Sequence, residues 1–367
     1  MGLLSQAAGA LFGSGSGSPS VRKPVFEVQC GNPSAADGAQ VLLAFSVEAG
    51  FAPWAGAAEI YAASTQGPSA SPGDPASIKA GYDDSSCGLI FTGQIETVRC
   101  GIEGVTRFHA SSGASILCRL RVNQGYEQST AGDIVNDLAQ RASVATGSVE
   151  DGASYPFYAV DDGRNAWQHI AALARNNGFA AFFSPEGKLN FQPVEAGQPV
   201  QTFTYGNDIL ALQLTGAVPA AGQVTVVGEG AAGSNGSDAW SWLLKDASPV
   251  TSQSGEGDPH KLMTDASLRS SDASQTAADG TAAAVGAATR SGWILTPGAS
   301  AVSVGSTIEI DGATQDALNG TYLVERVRHR FSKSAGFTSL IFFTQLGAGW
   351  SGGGLAGGLL SGAKGVL

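Results

Sequence analysis

The chain has 367 residues, 43% of them hydrophobic, which is ample for two or three packed units and excludes a disordered chain. Its formal net charge of -11 excludes a protein built chiefly to grip nucleic acid, because phosphate binding draws on clustered Lys and Arg. Only 14% of residues are charged and 51 are glycine, so the surface must be rich in small and neutral polar residues, a composition suited to burial between subunits.

Residues 1–22 read as a flexible arm, since Gly13 to Ser18 alternates Gly and Ser and ordering such a stretch costs backbone entropy. No basic region precedes an apolar stretch as in a secretory leader, and Gln6 stands where a myristoylation signal has Ser or Thr. No apolar run reaches membrane-spanning length, so assembly in a bacterial cytoplasm, with no membrane span, is expected. The first unit is β-rich, with strands predicted over Pro24 to Cys30, Val41 to Glu48, Gly88 to Cys100 and Val105 to Ala110. Gly50 to Ser86, punctuated by Pro and Gly, reads as a long connection with one short strand near Ala58 to Ala62.

Thr130, with Asp133 three residues on, is predicted to cap a helix whose apolar side is Ile134, Leu138, Ala142 and Ala145, ending at Gly147. A second helix is predicted from an Asp162 cap through Ala166, Trp167, Ile170 and Leu173 to Asn176-Asn-Gly178. Phe179 to Phe183 and Lys188 to Phe191 flank a Ser184-Pro-Glu-Gly187 turn and read as a hairpin. Strands are then predicted over Thr202 to Tyr205, Ile209 to Thr215 and Gln223 to Gly228. Within the Gly- and Ser-rich stretch to Arg290, Asp272 to Thr289 is Ala-dense enough for a helix despite Gly280 and Gly286. Strands resume over Thr307 to Ile310, Thr321 to Phe331 and Phe337 to Leu346. Residues 348–367 form a second Gly- and Leu-rich tail.

Little in this pattern nominates catalytic chemistry. Gly228-Glu-Gly-Ala-Ala-Gly233 matches a dinucleotide fingerprint by letter, but no helix opens after it to hold a pyrophosphate. His109, His169, His260 and His329 are isolated in sequence, and His169 and His329 fall within a predicted helix and strand, where structural hydrogen bonds account for them. Asp161-Asp162 stands at a helix start, which makes capping its expected role. Cys30, Cys87, Cys100 and Cys118 have no metal or redox spacing and read as buried thiols. No catalytic, cofactor-binding or metal-binding residue is therefore expected, and no cofactor. Arg326, Arg328 and Arg330 point to one face of a strand, where they are expected to line a polar surface or pair with acidic neighbours rather than form a nucleic-acid-specific site.

The last third carries Gly298, Val304-Gly-Ser-Thr-Ile-Glu-Ile310, Asn319-Gly-Thr-Tyr322, Val324 to Val327, His329-Arg-Phe-Ser332 and Gly336-Phe-Thr338 in order. Tyr158 to Asp162 before a helix ending Asn177-Gly-Phe179, then a hairpin, Phe203-Thr-Tyr-Gly206 and Val224 to Gly228, continue the pattern upstream. From about Val149 to Leu346, with a vaguer match at Pro24 to Cys30, the chain resembles the late control D family of phage tail hub proteins, related to the hub module of type VI secretion spikes.

That resemblance implies a mainly β fold with an α+β insertion, comprising two tube-type β-barrel domains per chain. The chain then divides into the arm 1–22, a first tube-type barrel from 23–120 and 198–216, and an α+β insertion at 121–197. A second tube-type barrel comes from 217–230 and 291–347, with a loop and helix excursion at 231–290 and the tail 348–367. The resemblance further implies a non-enzymatic baseplate hub of a contractile phage tail or tail-like injection particle. Three chains would present six barrels, matching a sixfold inner tube on one side and a threefold spike on the other. The partners implied are two further copies in a homotrimer, the inner tube protein, baseplate subunits and a spike, expected as a separate protein because the sequence ends soon after the second barrel. Two other readings remain: a hexameric tube initiator or tail terminator with one barrel per chain, and a cell-wall hydrolase carried at the tip.

Overall fold

A computed structural model describes residues 23–31, 40–64, 70–82, 87–229 and 250–345. The predicted arm 1–22, the tail 348–367 and residues 231–249 of the predicted excursion lie outside the described residues.

The N-terminal strands are β1 (Pro24–Cys30), β2 (Gln40–Gly50), β3 (Ala57–Ser64), β4 (Pro75–Tyr82), β5 (Gly88–Cys100) and β6 (Val105–Ser111). There follow α1 (Ala114–Arg119), β7 (Gln124–Thr130), α2 (Ala131–Arg141), β8 (Thr146–Val149), β9 (Ser154–Val160), α3 (Ala166–Asn177), β10 (Phe179–Phe183) and β11 (Leu189–Pro193). The remainder comprises β12 (Pro199–Thr204), β13 (Ala211–Gly216), β14 (Gln223–Val227), β15 (Thr251–Gly255), β16 (His260–Thr264) and α4 (Ser271–Ala287). It ends with β17 (Arg290–Pro297), β18 (Thr307–Asp311), β19 (Gly320–Ser332) and β20 (Gly336–Thr344). The fold is mainly β, as expected.

One sheet runs β1-β4-β5-β6-β3-β2-β19-β20-β17-β13, and β18 joins it to β12 from the side of β19. This sheet encloses two separate cores. Phe45, Ile60, Ile78, Phe91, Ile95 and Phe108 fill the first, together with Phe331 of β19 and Phe337 of β20. Phe203, Ile294, Ile308 and Ile310 fill the second, with Tyr322, Val324 and Val327 of β19 and Ile341 and Phe343 of β20. Strands β19 and β20 are long enough to serve one core at each end. The free edge of β19 changes partner accordingly: residues Gly320 to Leu323 pair with β18, and Arg326 to Ser332 pair with β2. A bulge between Val324 and Arg326 sits at the handover, where an extra residue lets the strand bend away from one partner and toward the next. At the first core β1 and β4 fold over these strands, with Phe26 and Phe331 ring centroids 4.5 Å apart and the Tyr82 hydroxyl donating to the Phe337 carbonyl.

These pairings correct the predicted partition. Strand β12 pairs with β18 and β13 with β17, so 198–216 belongs with the C-terminal strands and not with 23–120. Likewise β14 pairs with β15 and β16 in a small sheet of its own, so 217–230 joins the excursion rather than the second group of large-sheet strands. The excursion in turn shares one core with the insertion, in which Ile134, Trp167, Leu173 and Phe191 meet Val224, Val226, Leu268 and Ala277. Propensity could not foresee this, because each piece buries its apolar face against a partner distant in sequence.

Within that α+β unit, Thr130 and Asp133 form the expected reciprocal cap of α2. The helix ends at Arg141 rather than at Gly147, and Thr146 already lies in β8. The cap of α3 is Asn165, reciprocated by Gln168, and not Asp162; Asp161 instead accepts from the Gly163 amide at 2.8 Å. Helices α3 and α4 cross where Gly178 meets Gly280, and a Cβ on Gly280 would stand 2.6 Å from the Gly178 Cα, which accounts for a glycine inside a helix. The unit docks on the β2–β3 connection, where the Ala52 amide donates to the Ala181 carbonyl at 2.8 Å and the Trp167 indole donates to the Pro53 carbonyl at 3.1 Å.

Strand β4 falls inside the predicted Gly50 to Ser86 connection, and β7, β8, β9, β15 and β16 were likewise not anticipated. β4 lies between β1 and β5 and buries Ala76, Ile78 and Ala80 in the first core, while the other five are short segments of four to seven residues that pairing makes strands. The four cysteines are free thiols, and none is fully buried: Cys30, Cys87 and Cys118 are half-buried and Cys100 is exposed.

Candidate assembly surface

The large sheet turns its outer face into an open concave groove of about 1080 Å³ spanning β3, β2, β19, β20 and β17, with His109 of β6 at its margin. Period-2 alternation builds it, since along β19 Val327, His329 and Phe331 point inward while Arg326, Arg328 and Arg330 point outward. The same alternation sets out Glu59 and Tyr61 on β3, Leu340 and Phe342 on β20, and Trp293 and Leu295 on β17.

The charges on this face are largely paired across strands. The Arg328 guanidinium donates to Glu48 at 2.9 and 2.7 Å, and Arg326 reaches the other Glu48 oxygen at 3.4 Å. Arg326 also lies over the Phe342 ring at 3.8 Å and the Trp54 ring at 4.7 Å, where a weakly hydrated guanidinium gains from the aromatic faces. Arg107 donates to both Glu59 oxygens at 2.7 and 2.6 Å, and Tyr61 donates to Glu59 at 2.9 Å. The Arg107 hydrogen bond holds the Glu59 carboxyl below its ordinary range. Arg330 is exposed and has no side-chain partner among the described residues. The face is therefore locally positive in a chain of net charge -11.

The expectation that the three arginines share a face and meet acidic neighbours is met at Glu48. Sequence reading missed the rest of the face, because Glu48 and Arg328 lie 280 positions apart. The alternating Glu59-Ile-Tyr61 and Arg107-Phe-His109 triplets were the available signal, since a charged residue two positions from another polar one marks an outward strand face.

The histidines are not drawn together. His169 is buried in α3, bonded to the Asp161 carbonyl at 3.2 Å, and burial pushes its pKa down. His329 is buried against Ser339, while His260 pairs with Asp258 at 3.2 Å on the surface. Gly228 and Glu229 of the fingerprint-like stretch follow β14, and Glu229 pairs with Arg269; Gly230 to Gly233 lie outside the described residues. Among the described residues no cluster of three or more His, Cys, Asp or Glu could hold a metal ion, and no helix is long and apolar enough to cross a membrane. The surface offers concavity, cross-strand ion pairs and aromatic area, which suit contact with a passing or docked macromolecule more than bond chemistry.

A family model described as the Alg8 N-terminal domain matches residues 57–333. No curated protein matches the sequence. Among solved structures the fold is similar to that of a tail protein from Neisseria meningitidis, 14% identical, covering 88% of this chain and 97% of that one with a TM-score of 0.64. It is similar to a 43 kDa prophage tail protein from Shewanella oneidensis, 8% identical, covering 88% and 98% with a TM-score of 0.63. It is also similar to an Escherichia coli type VI secretion component described as resembling bacteriophage T4 tail proteins, 9% identical, covering 88% and 77% with a TM-score of 0.59. The chain has the fold of phage tail proteins.

Proposed function

We propose that this chain, which belongs to the Alg8 N-terminal domain family, is a structural and non-enzymatic hub of a contractile phage tail or tail-like injection particle. The observation that carries this reading is the single sheet with two cores, in which β19 and β20 pass from one core to the other. Each copy would then offer two unequal β units side by side, one around each core. Three copies in a ring offer six, so one rim suits a sixfold tube while the inequality of the units keeps the other rim threefold for a spike. The concave groove would face the axis, presenting cross-strand ion pairs beside Trp293, Leu295, Leu340 and Phe342 to what moves through it. The tail proteins and the secretion component of like fold support this assignment, as does the late control D pattern from Gly298 to Thr338.

The test is native mass spectrometry and class averages in the electron microscope, with the chain alone and with tube, spike and baseplate proteins encoded beside it. A trimer that binds tube protein on one rim and spike on the other is expected. A stable monomer with all partners present refutes the hub, and a sixfold ring of this chain indicates a tube initiator or terminator. Release of soluble fragments from peptidoglycan by the purified chain would instead establish a hydrolase.

A further inference from the structure

The chain contains two Asp-Pro bonds, Asp74-Pro75 and Asp258-Pro259, each preceded by glycine. Proline has no N–H, so the nitrogen after the aspartate cannot trap its side chain as a cyclic imide. What stays open is attack by the side-chain carboxylate on its own main-chain carbonyl, an intramolecular closure of a five-membered ring that proximity favours.

The surroundings of the two bonds differ. At Asp74 the carboxylate accepts from the Ser71 amide at 2.8 Å, the main-chain carbonyl accepts from the Ile95 amide at 2.8 Å, and alanine follows the proline. At Asp258 a histidine follows the proline, and His260 Nε2 lies 3.2 Å from Asp258 Oδ1. Water reaches both side chains, which are 90% exposed at Asp258 and 57% at His260. The turn that carries them is held on both sides, since β15 ends at Gly255 and β16 starts at His260, and these two residues flank Gln223 of β14. The Gly222 amide donates to the Pro259 carbonyl at 2.6 Å, and a Cβ on Gly222 would stand 2.9 Å from the Asp258 carbonyl carbon. A nucleophile, a proton donor and an amine leaving group thus meet in one anchored turn.

We propose that the chain cleaves its own backbone between Asp258 and Pro259. An Asp258 carboxylate oxygen bonds to the Asp258 main-chain carbonyl carbon and the C–N bond to Pro259 breaks, which leaves a cyclic anhydride on Asp258. The protonated His260 ring gives its Nε2 proton to the departing Pro259 nitrogen, which leaves as a secondary amine. Water then attacks the anhydride, the neutral imidazole takes the proton from that water, and one ring C–O bond opens to give two carboxyl groups on Asp258. The net reaction consumes one water. It occurs once per chain, so it is compatible with a structural role and rests on no part of the hub reading. The pieces 1–258 and 259–367 stay together, because β15 and β16 keep their pairing with β14, and Leu268 and Ala277 share a core with Trp167 and Leu173.

The test is incubation of the purified whole chain at mildly acidic pH, where carboxylate and imidazolium coexist. Two fragments are expected on a denaturing gel, with masses that sum to that of the parent plus one water and with Pro259 as the first residue of the second by end-group sequencing. Asp258→Asn is expected to stop the cut. Asp258→Glu, which must close a six-membered ring, and His260→Gln, which removes the proton donor, are each expected to slow it by at least about tenfold. Both residues are exposed, so melting temperatures are expected to match the wild type. A wild-type chain that stays intact overturns the proposal, as does equal cleavage at Asp74-Pro75. Fragments released from Asp258→Asn or His260→Gln at the wild-type rate overturn it too, by pointing to a protease or to plain acid lability.

Discussion

His329 offers a direct measure of how the two-core sheet depends on a buried neutral imidazole. It lies on the inner face of β19, 2% exposed, with Nδ1 2.7 Å from the Ser339 hydroxyl and a further hydrogen bond to the Val302 backbone. Burial penalises the imidazolium and pushes the pKa down to about 4 from an ordinary value of 6.5. As pH falls, the unfolded chain therefore takes up its proton before the folded one. The stabilising contribution is complete above 6.5, is lost between 6.5 and about 4, and changes no further below that. At about 1.4 kcal/mol for each unit between the two values, the loss comes to about 3 kcal/mol. Urea unfolding of the wild type and of His329→Gln across that pH range separates this effect from the carboxylates and from His169, which titrate alike in both proteins. The Gln variant is expected to be the less stable near neutral pH through lost ring packing, with the gap closing by about 3 kcal/mol on acidification. Parallel stability curves for the two proteins would refute the reasoning.

Three further outcomes follow from packing and pairing. Gly280→Ala should destabilise by up to about 2 kcal/mol in thermal or urea unfolding: alanine gains about 1 kcal/mol in helix propensity, but its methyl meets the Gly178 backbone and overpacking costs about 1–3 kcal/mol. Phe337→Ala, at a ring 1% exposed that contacts Phe45 and Tyr82 and lies where a Cβ on Gly298 would stand, should cost about 3–5 kcal/mol by urea unfolding. A double-mutant cycle on Glu48→Gln and Arg328→Gln should give a coupling of up to about 1 kcal/mol, because two Arg328 donors share one Glu48 oxygen and the pair is partly solvated, and it should shrink in high salt.

Local chemistry in the sequence was enough for the elements whose signals are short-range. Thr130 with Asp133 marked the start of α2, Asn177-Gly178 marked the end of α3, and alternation along Thr321 to Phe331 placed Arg326, Arg328 and Arg330 on one face. Capping, left-handed termini and period-2 burial each involve residues within a few positions of one another, so they can be read without knowing the partner. The Asp162 cap failed on the same scale, because Asn165 with Gln168 supplies a reciprocal pair and Asp161 turns back on Gly163.

The grouping of strands was decided only in three dimensions. Nothing local to Ala211–Gly216 says that it pairs with Arg290–Pro297 rather than with the N-terminal strands, and the predicted partition misplaced it for that reason. The groove follows the same rule, since Glu48 finds Arg328 and Glu59 finds Arg107 only once the register of β2 on β19 and of β3 on β6 is set. The sequence by itself determined the strands with a strong local alternation, such as Pro24–Cys30 and Gly320–Ser332, because that pattern depends on nearest neighbours along the chain, whereas β4, β7, β8, β9, β15 and β16 are strands through their pairing. The tertiary structure decided that two cores share one pair of long strands, because that depends on which edges meet.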